Sequence, residues 1–144
     1  MRFATSWIAW ALFSAFFAAL TAVFAKEGVA HVDSNLATAV RTSVVLVLAW
    51  FIALKFGRPH ELATLDRRTL AFLCASGVAT GLSWLCYFRA LALGPVSKVA
   101  PLDKLSVVFV LVLAWPILGE TITPGKVAGA ALITAGAIVL VVAR

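Results

Sequence analysis

The sequence predicts an all-α integral membrane protein, a bundle of five transmembrane helices, and three observations predict it. Nearly all of the 144 residues fall into five apolar stretches, approximately 7–25, 36–56, 70–88, 96–118 and 126–142. Each is long enough to cross a hydrocarbon core about 30 Å thick. The composition, 63% hydrophobic and 12% charged with mean hydropathy +1.06, is too apolar to clothe a globular surface in water. No stretch alternates over the roughly ten residues a membrane strand needs, whereas helices satisfy their own backbone groups in lipid. An odd number of spans places the two ends of residues 1–144 on opposite sides of the membrane. It also leaves no soluble domain within them, so 1–144 reads as one transmembrane domain.

The first span, Trp7–Ala25, follows Met1-Arg2 and ends in Val23-Phe24-Ala25, which resembles a secretory signal with a small-residue cleavage site. Its apolar run exceeds the roughly 7–15 residues of a signal core, and four more spans follow, so it is expected to stay as a helix. Lys26-Glu27-Gly28 ends it, and His31–Asn35 turns into the second span, Leu36–Phe56. The longest connection, Gly57–Arg68, is polar and punctuated by Gly and Pro, and its Asp66 is placed to cap the third span, Leu70–Phe88. Cys74 and Cys86 both fall in that span, 12 residues apart, or about 18 Å along a helix. They cannot pair with each other within one chain and read as buried apolar cysteines. Gly94-Pro95 leads into the fourth span, Val96–Leu118, with Pro95 suited to its first turn. Gly119-Glu120-Thr121-Ile122-Thr123-Pro124 closes it and opens the fifth, Lys126–Val142, with Thr123 as cap and Pro124 at the first helical position. Gly77…Gly81 and Gly125…Gly129 are G-x-x-x-G patterns that permit close helix approach, within the chain or between chains.

The net charge of +6 comes from basic residues scattered singly, with Arg67-Arg68 the one adjacent pair. That is no nucleic-acid footprint; it reads as membrane topology and contact with lipid headgroups. Arg2, Lys55, Arg58, Arg67, Arg68 and Lys126 fall on the side of the N-terminus, and Lys26, Arg41, Arg89, Lys98, Lys104 and Arg144 on the other, six against six. Setting aside Arg41 and Lys104, which lie within spans, leaves six against four and a slight preference for a cytoplasmic N-terminus. Trp7, Trp10, Trp50 and Trp115 fall toward one interface, Trp84 and Tyr87 toward the other. The latter two, three residues apart on one helix face, serve either as an interfacial belt or as the lining of a cavity.

No nucleophile–base pair or metal-ligand spacing is present; His31 and His60 stand alone in connections. An enzyme, a metal and a cofactor are therefore not expected. The chemistry lies in polar residues at membrane depth, where charge is costly and marks a pathway or a buried pair. Pro101 in the fourth span leaves the carbonyl of Ser97 without its helical partner, so a bend is expected there. Asp103 and Lys104 follow it. Being adjacent on a helix they point about 100° apart, so each is expected to seek a partner elsewhere, Arg41 being a candidate for Asp103. Either these are buried or snorkelling ion pairs, or they face a cavity. Lys26, Arg89 and Lys98 at the same membrane side contact headgroups or, with Arg41 and Lys104, form a cationic vestibule suited to carboxylates or phosphates. Glu120 is expected to cap or to pair with Lys126.

The run Tyr87-Phe88-Arg89-Ala90-Leu91-Ala92-Leu93-Gly94-Pro95-Val96-Ser97, then Ala100-Pro101-Leu102-Asp103, then Leu118-Gly119-Glu120-Thr121-Ile122-Thr123-Pro124 and Gly129–Gly136, resembles the EamA domain of the drug/metabolite transporter superfamily. Lys26 and Arg41 match positive positions in its first two helices, and the resemblance covers essentially the whole chain. Most members carry two such five-helix halves in inverted orientation; this chain resembles the short members with one. The resemblance implies transport by alternating access through a cavity between inverted halves. The second half is then another chain: a homodimer partner inserted antiparallel, or an inverted hetero-partner. A near-even charge division is what dual topology requires.

The function expected is export or secondary transport of small polar metabolites or drug-like compounds across the cell (inner or plasma) membrane. Arg41, Trp84, Tyr87, Asp103 and Lys104 are expected at the cavity, Lys26, Arg89 and Lys98 at its vestibule, and Pro101 as helix hinge. Asp103 is the candidate for proton coupling: leaving water favours a protonated carboxyl, while an ion pair to Arg41 or Lys104 favours the charged form. A non-transporting membrane assembly or regulatory subunit is the alternative, and a lipid-linked substrate is a third.

Overall fold

The computed structural model describes residues 6–143. Arg2 and Arg144, used above in the charge division, lie outside the described residues. The elements are α1 (Trp7–Gly28), α2 (Ser34–Phe56), a 3-10 turn (Pro59–Thr64), α3 (Arg67–Leu93), α4 (Val96–Asp103), α5 (Ser106–Leu118) and α6 (Pro124–Val142). There is no strand among the described residues. Five stretches are long and apolar enough to span a membrane, with α4 and α5 together forming the fourth. The chain is an all-α multi-pass membrane protein.

Local chemistry sets the ends of these helices. Asp33 caps α2, its Oδ1 accepting from the amides of Asn35 at 3.0 Å and Leu36 at 3.1 Å. Asp66 accepts from the Thr69 amide at 3.3 Å, and Thr123 from the Lys126 amide at 3.3 Å with Pro124 opening α6. Each cap satisfies an amide that the first turn leaves without a helical partner. Pro95 sits just outside α4 as its cap residue rather than within the first turn. Gly57 closes α2 where an added Cβ would stand 2.5 Å from the carbonyl oxygen of Ala53. Gly119 ends α5 at φ 70°, a left-handed conformation that lets the Glu120 amide reach back to the Ala114 carbonyl at 3.3 Å.

Two boundaries differ from those expected. The third span continues from Phe88 to Leu93, because Arg89-Ala90-Leu91-Ala92-Leu93 are good helix formers and nothing stops the helix before Gly94-Pro95. The fourth is two helices, interrupted at Lys104 and Leu105. There the Lys104 amide bonds the Pro101 carbonyl at 3.1 Å and the Leu105 amide the Leu102 carbonyl at 3.0 Å, three residues back instead of four. The chain tightens into a 3-10 turn just after the proline, and the helix axis breaks there.

The chain divides into two compact units. One holds α1 as far as Lys26 and, from Leu93 onward, α4, α5 and α6. In it α4 and α5 pack against α6, and small side chains are the ones buried: Ala114 on α5, Ala130 and Ala137 seven residues apart on α6. Small residues permit backbones to approach, which is how helices associate in lipid. The other unit runs from Glu27 to Ala92 and contains α2, the 3-10 turn and nearly all of α3.

Throughout, large apolar side chains such as Phe13, Leu54, Phe72 and Leu132 are exposed, as lipid contact requires. Cys74 and Cys86 are exposed too, correcting the expectation of burial: the most apolar stretch of α3 buries no residue within the chain. The G-x-x-x-G glycines are likewise unused inside the chain. A methyl group added at Gly77, Gly81, Gly125 or Gly129 would meet nothing within 4 Å.

Candidate functional site: a guanidinium between membrane helices

In a soluble protein a helix turns its apolar face inward. On α2 the order is reversed. Ser34 and Thr38 are buried, and Arg41 is half-buried. Spaced four and then three residues apart, they form one stripe along the helix. The hydroxyl of Thr38 donates to the Ser34 carbonyl at 2.7 Å, and that of Thr42 to the Thr38 carbonyl at 2.7 Å. This bond to the preceding turn satisfies a hydroxyl in an apolar medium with no outside partner.

Arg41 has no such local solution. Its guanidinium carbon lies 3.9 Å from the centroid of the Trp84 ring and 5.4 Å from that of Phe88, both on α3. Trp84, Tyr87, Phe88 and Leu91 share one face of α3 by their spacing of three, one and three. Phe88 and Leu91 are buried, Trp84 and Tyr87 half-buried. Tyr87 is close enough to Arg41 to interact with it electrostatically. The stacked cation is attracted by the ring's negative face. That face carries no hydrogen-bond acceptor, however, and Nη1 of Arg41 is buried with no hydrogen-bond partner among the described residues.

The second charged group expected at the site, Asp103 and Lys104, lies at the break between α4 and α5. The two side chains form an ion pair of 3.6 Å and are 42% and 57% exposed. This corrects the expectation that adjacent residues point too far apart to pair. Asp103 is the last residue of α4 and Lys104 opens the turn after it, and the long, flexible lysine side chain reaches its neighbour's carboxylate despite the angular step between them. Pro101, half-buried, lies within α4 three residues before that turn.

Of the expected vestibule, Lys26 donates from Nζ to the Gly94 carbonyl at 2.9 Å, tying the end of α1 to the α3–α4 connection. Lys98 is half-buried and Arg89 exposed. Glu120 pairs with Lys126 at 3.1 Å, as expected. The residues around Arg41 that sequence reasoning missed are Phe88 and the Ser34–Thr38 stripe. Spacing held the signal: Phe88 follows Trp84 by four residues, and Ser34 and Thr38 precede Arg41 by seven and three.

A cavity of about 310 Å³ opens near the other end of α2, between Leu46, Trp50 and Ala53 and the connection residues Arg58, Pro59 and Leu62. Its walls are apolar apart from Arg58, and Arg58 is already paired with Glu61 at 3.2 Å. No group of three or more metal-ligating side chains occurs among the described residues.

The chain matches the EamA-like transporter family over residues 5–142. It is similar to an uncharacterized transporter in the cobO 3' region of a Sinorhizobium species, 50% identical over 137 residues that cover 95% of this chain and 97% of that protein. No solved structure matches it. This chain is a member of the EamA-like transporter family, a multi-pass membrane transporter.

Proposed function

We propose that the protein moves small polar metabolites or drug-like compounds across the cell membrane by alternating access, working as an antiparallel dimer of dual topology. The observation that carries this reading is Arg41, a permanent charge two turns into a membrane helix. It is held against Trp84 and Phe88 with a buried, unpartnered donor. An intramembrane cation kept at such cost marks a solute pathway. The break at Lys104 and Leu105 supplies a pliable point at which the fourth span changes its angle between access states, and Pro101 prevents α4 from stiffening through it. Asp103, beside that point, is the candidate for proton coupling.

The dimer reading rests on five spans, half of an inverted repeat, and on basic residues divided almost evenly between the two sides. At Gly77, Gly81, Gly125 and Gly129 an added Cβ would meet nothing within 4 Å, which leaves room there for the close approach of a second copy.

Flux assays in proteoliposomes test the transport reading. Asp103→Asn and Lys104→Ala are expected to abolish substrate flux while leaving assembly and helical content intact. Unchanged flux in both removes these residues from the pathway. Tagging both termini tests the dimer: mixed orientation supports dual topology, and one fixed orientation rules it out and leaves an inverted partner chain or a parallel assembly.

A further inference from the structure

We infer that Arg41 is an anion-recognition centre and that the solute it selects carries a carboxylate or a phosphate. This rests on the transport reading above and names the substrate class for it. The guanidinium has two kinds of surface. Its central carbon lies over the Trp84 ring at 3.9 Å, and its N–H groups radiate in the guanidinium's own plane, where a fork of donors matches two oxygens of one oxyanion. Among them Nη1 is buried and has no hydrogen-bond partner among the described residues.

The acids of Arg41's own unit do not fill this position. Asp33 is committed to the amides of Asn35 and Leu36, Glu61 to Arg58 and Asp66 to Thr69, while Glu27 is exposed at the end of α1. In the remaining unit Asp103 and Glu120 are engaged by Lys104 and Lys126. The nearest hydroxyl of the stripe, on Thr38, is turned back to the Ser34 carbonyl.

A buried, charged donor without an acceptor is unfavourable by itself and favourable once an oxyanion completes it. Contact with the Trp84 and Phe88 rings restrains the guanidinium in advance, so an incoming anion meets a cation already held in place. A cationic or neutral solute gains nothing from this arrangement, and a cation is repelled. The same oxyanion chemistry is offered by a soluble solute and by the headgroup of an anionic lipid, and the test has an arm for each.

The test uses the full chain, purified in a neutral maltoside detergent, with radiolabelled benzoate as carboxylate probe, benzamide as its uncharged isostere and inorganic phosphate. Wild type is expected to bind benzoate or phosphate and not benzamide. Arg41→Gln is expected to weaken anion binding by about ten- to a hundredfold, the range spanned by one or two charge-assisted hydrogen bonds. Arg41→Lys, which keeps the charge and loses the planar fork, falls between the two and serves as the readout if the Gln variant does not fold. In the lipid arm, phosphatidylglycerol retained through purification is measured for wild type and Arg41→Gln. Retention that needs Arg41, without binding of either soluble anion, assigns the same fork to a headgroup.

Benzamide bound as well as benzoate, an Arg41→Gln chain that binds anions like wild type, or no anion bound in any arm overturns the proposal. Failure of this inference and failure of the transport reading are separable. Flux of neutral or cationic compounds that ignores Arg41 overturns anion recognition and leaves transport standing. Arg41-dependent benzoate binding without flux of any compound does the reverse.

Discussion

Two regions of the molecule place charge at membrane depth and solve the problem in opposite ways. In the α2–α3 unit, Arg41 lies in an unbroken helix and is held by aromatic rings, with a donor left over. Between α4 and α5, Asp103 and Lys104 lie at a broken helix, partly exposed and paired with each other. A continuous helix in lipid has no spare backbone polarity, so a cation there leans on whatever π surface its neighbour offers. At the broken helix both side chains are partly exposed, and the lysine reaches the carboxylate of its neighbour. The first arrangement leaves a donor over, which the proposed recognition uses; the second pairs its charges beside the proposed hinge.

Among charge-preserving substitutions, the largest expected effect separates the two regions directly. Arg41→Lys should lower solute flux about tenfold, since an ammonium cannot reproduce a stacked, forked guanidinium. Lys104→Arg, where exposure and a loose 3.6 Å pair leave room for either cation, should stay within about twofold of wild type. Initial rates in proteoliposomes check both, and equal sensitivity of the two sites would dissolve the distinction between them.

Next in size, Pro101→Ala returns an amide that can bond the Ser97 carbonyl and removes the ring from the helix interior. Proline in a helix interior is about 3 kcal/mol less favourable than alanine. The variant is therefore expected to be the more stable to heat and the slower transporter, by several-fold. Thermal unfolding followed by circular dichroism, paired with flux, reads both changes; a variant as fast as wild type places the hinge elsewhere.

Smaller again, Gly119→Ala forces a side chain into φ 70° at the end of α5. It should cost about 1–2 kcal/mol, visible as a lower melting temperature with flux per folded molecule unchanged.

The smallest effect belongs to the start of α3. The Asp66 carboxyl is held below its ordinary range, chiefly by its hydrogen bond to Thr69. A carboxyl whose folded value is depressed contributes stability that is fully present above its unfolded value, about 3.9. That contribution is lost as pH falls through the lowered folded value. Asp66→Asn should therefore lower stability slightly at neutral pH and flatten its further loss on acidification below about pH 4. An unchanged acid limb would show that the bond is not kept in solution.

How much was legible in the sequence varies by element. The five spans were legible because a run of apolar residues long enough to cross a bilayer has only one fold available to it. Caps at Asp66 and Thr123 and the Glu120–Lys126 pair were legible because they involve groups a few residues apart. The end of α3 was misplaced by reading Arg89 as the end of the apolar run, although the backbone heeds Gly94-Pro95 instead. The break after Pro101 was legible as a bend, but the pairing of Lys104 with its neighbour Asp103 was not. The burial assigned to Cys74 and Cys86 was inferred from their chemistry, yet in a membrane an apolar side chain has no reason to prefer the interior.

The sequence by itself determined that this protein is helical, membrane-embedded and charged at a few internal positions, because hydrocarbon imposes those terms on any chain this apolar. It also carried the resemblance that family membership bears out. What only the tertiary structure decided is which charge meets which group. Arg41, 43 residues from Trp84 in the chain, rests on its ring rather than on a carboxylate within its own unit, and Asp103 pairs with its own neighbour. Those pairings depend on how two helices turn their faces to each other and on where one of them breaks. Such choices are made by packing between side chains distant in sequence, to which local propensity and composition are blind.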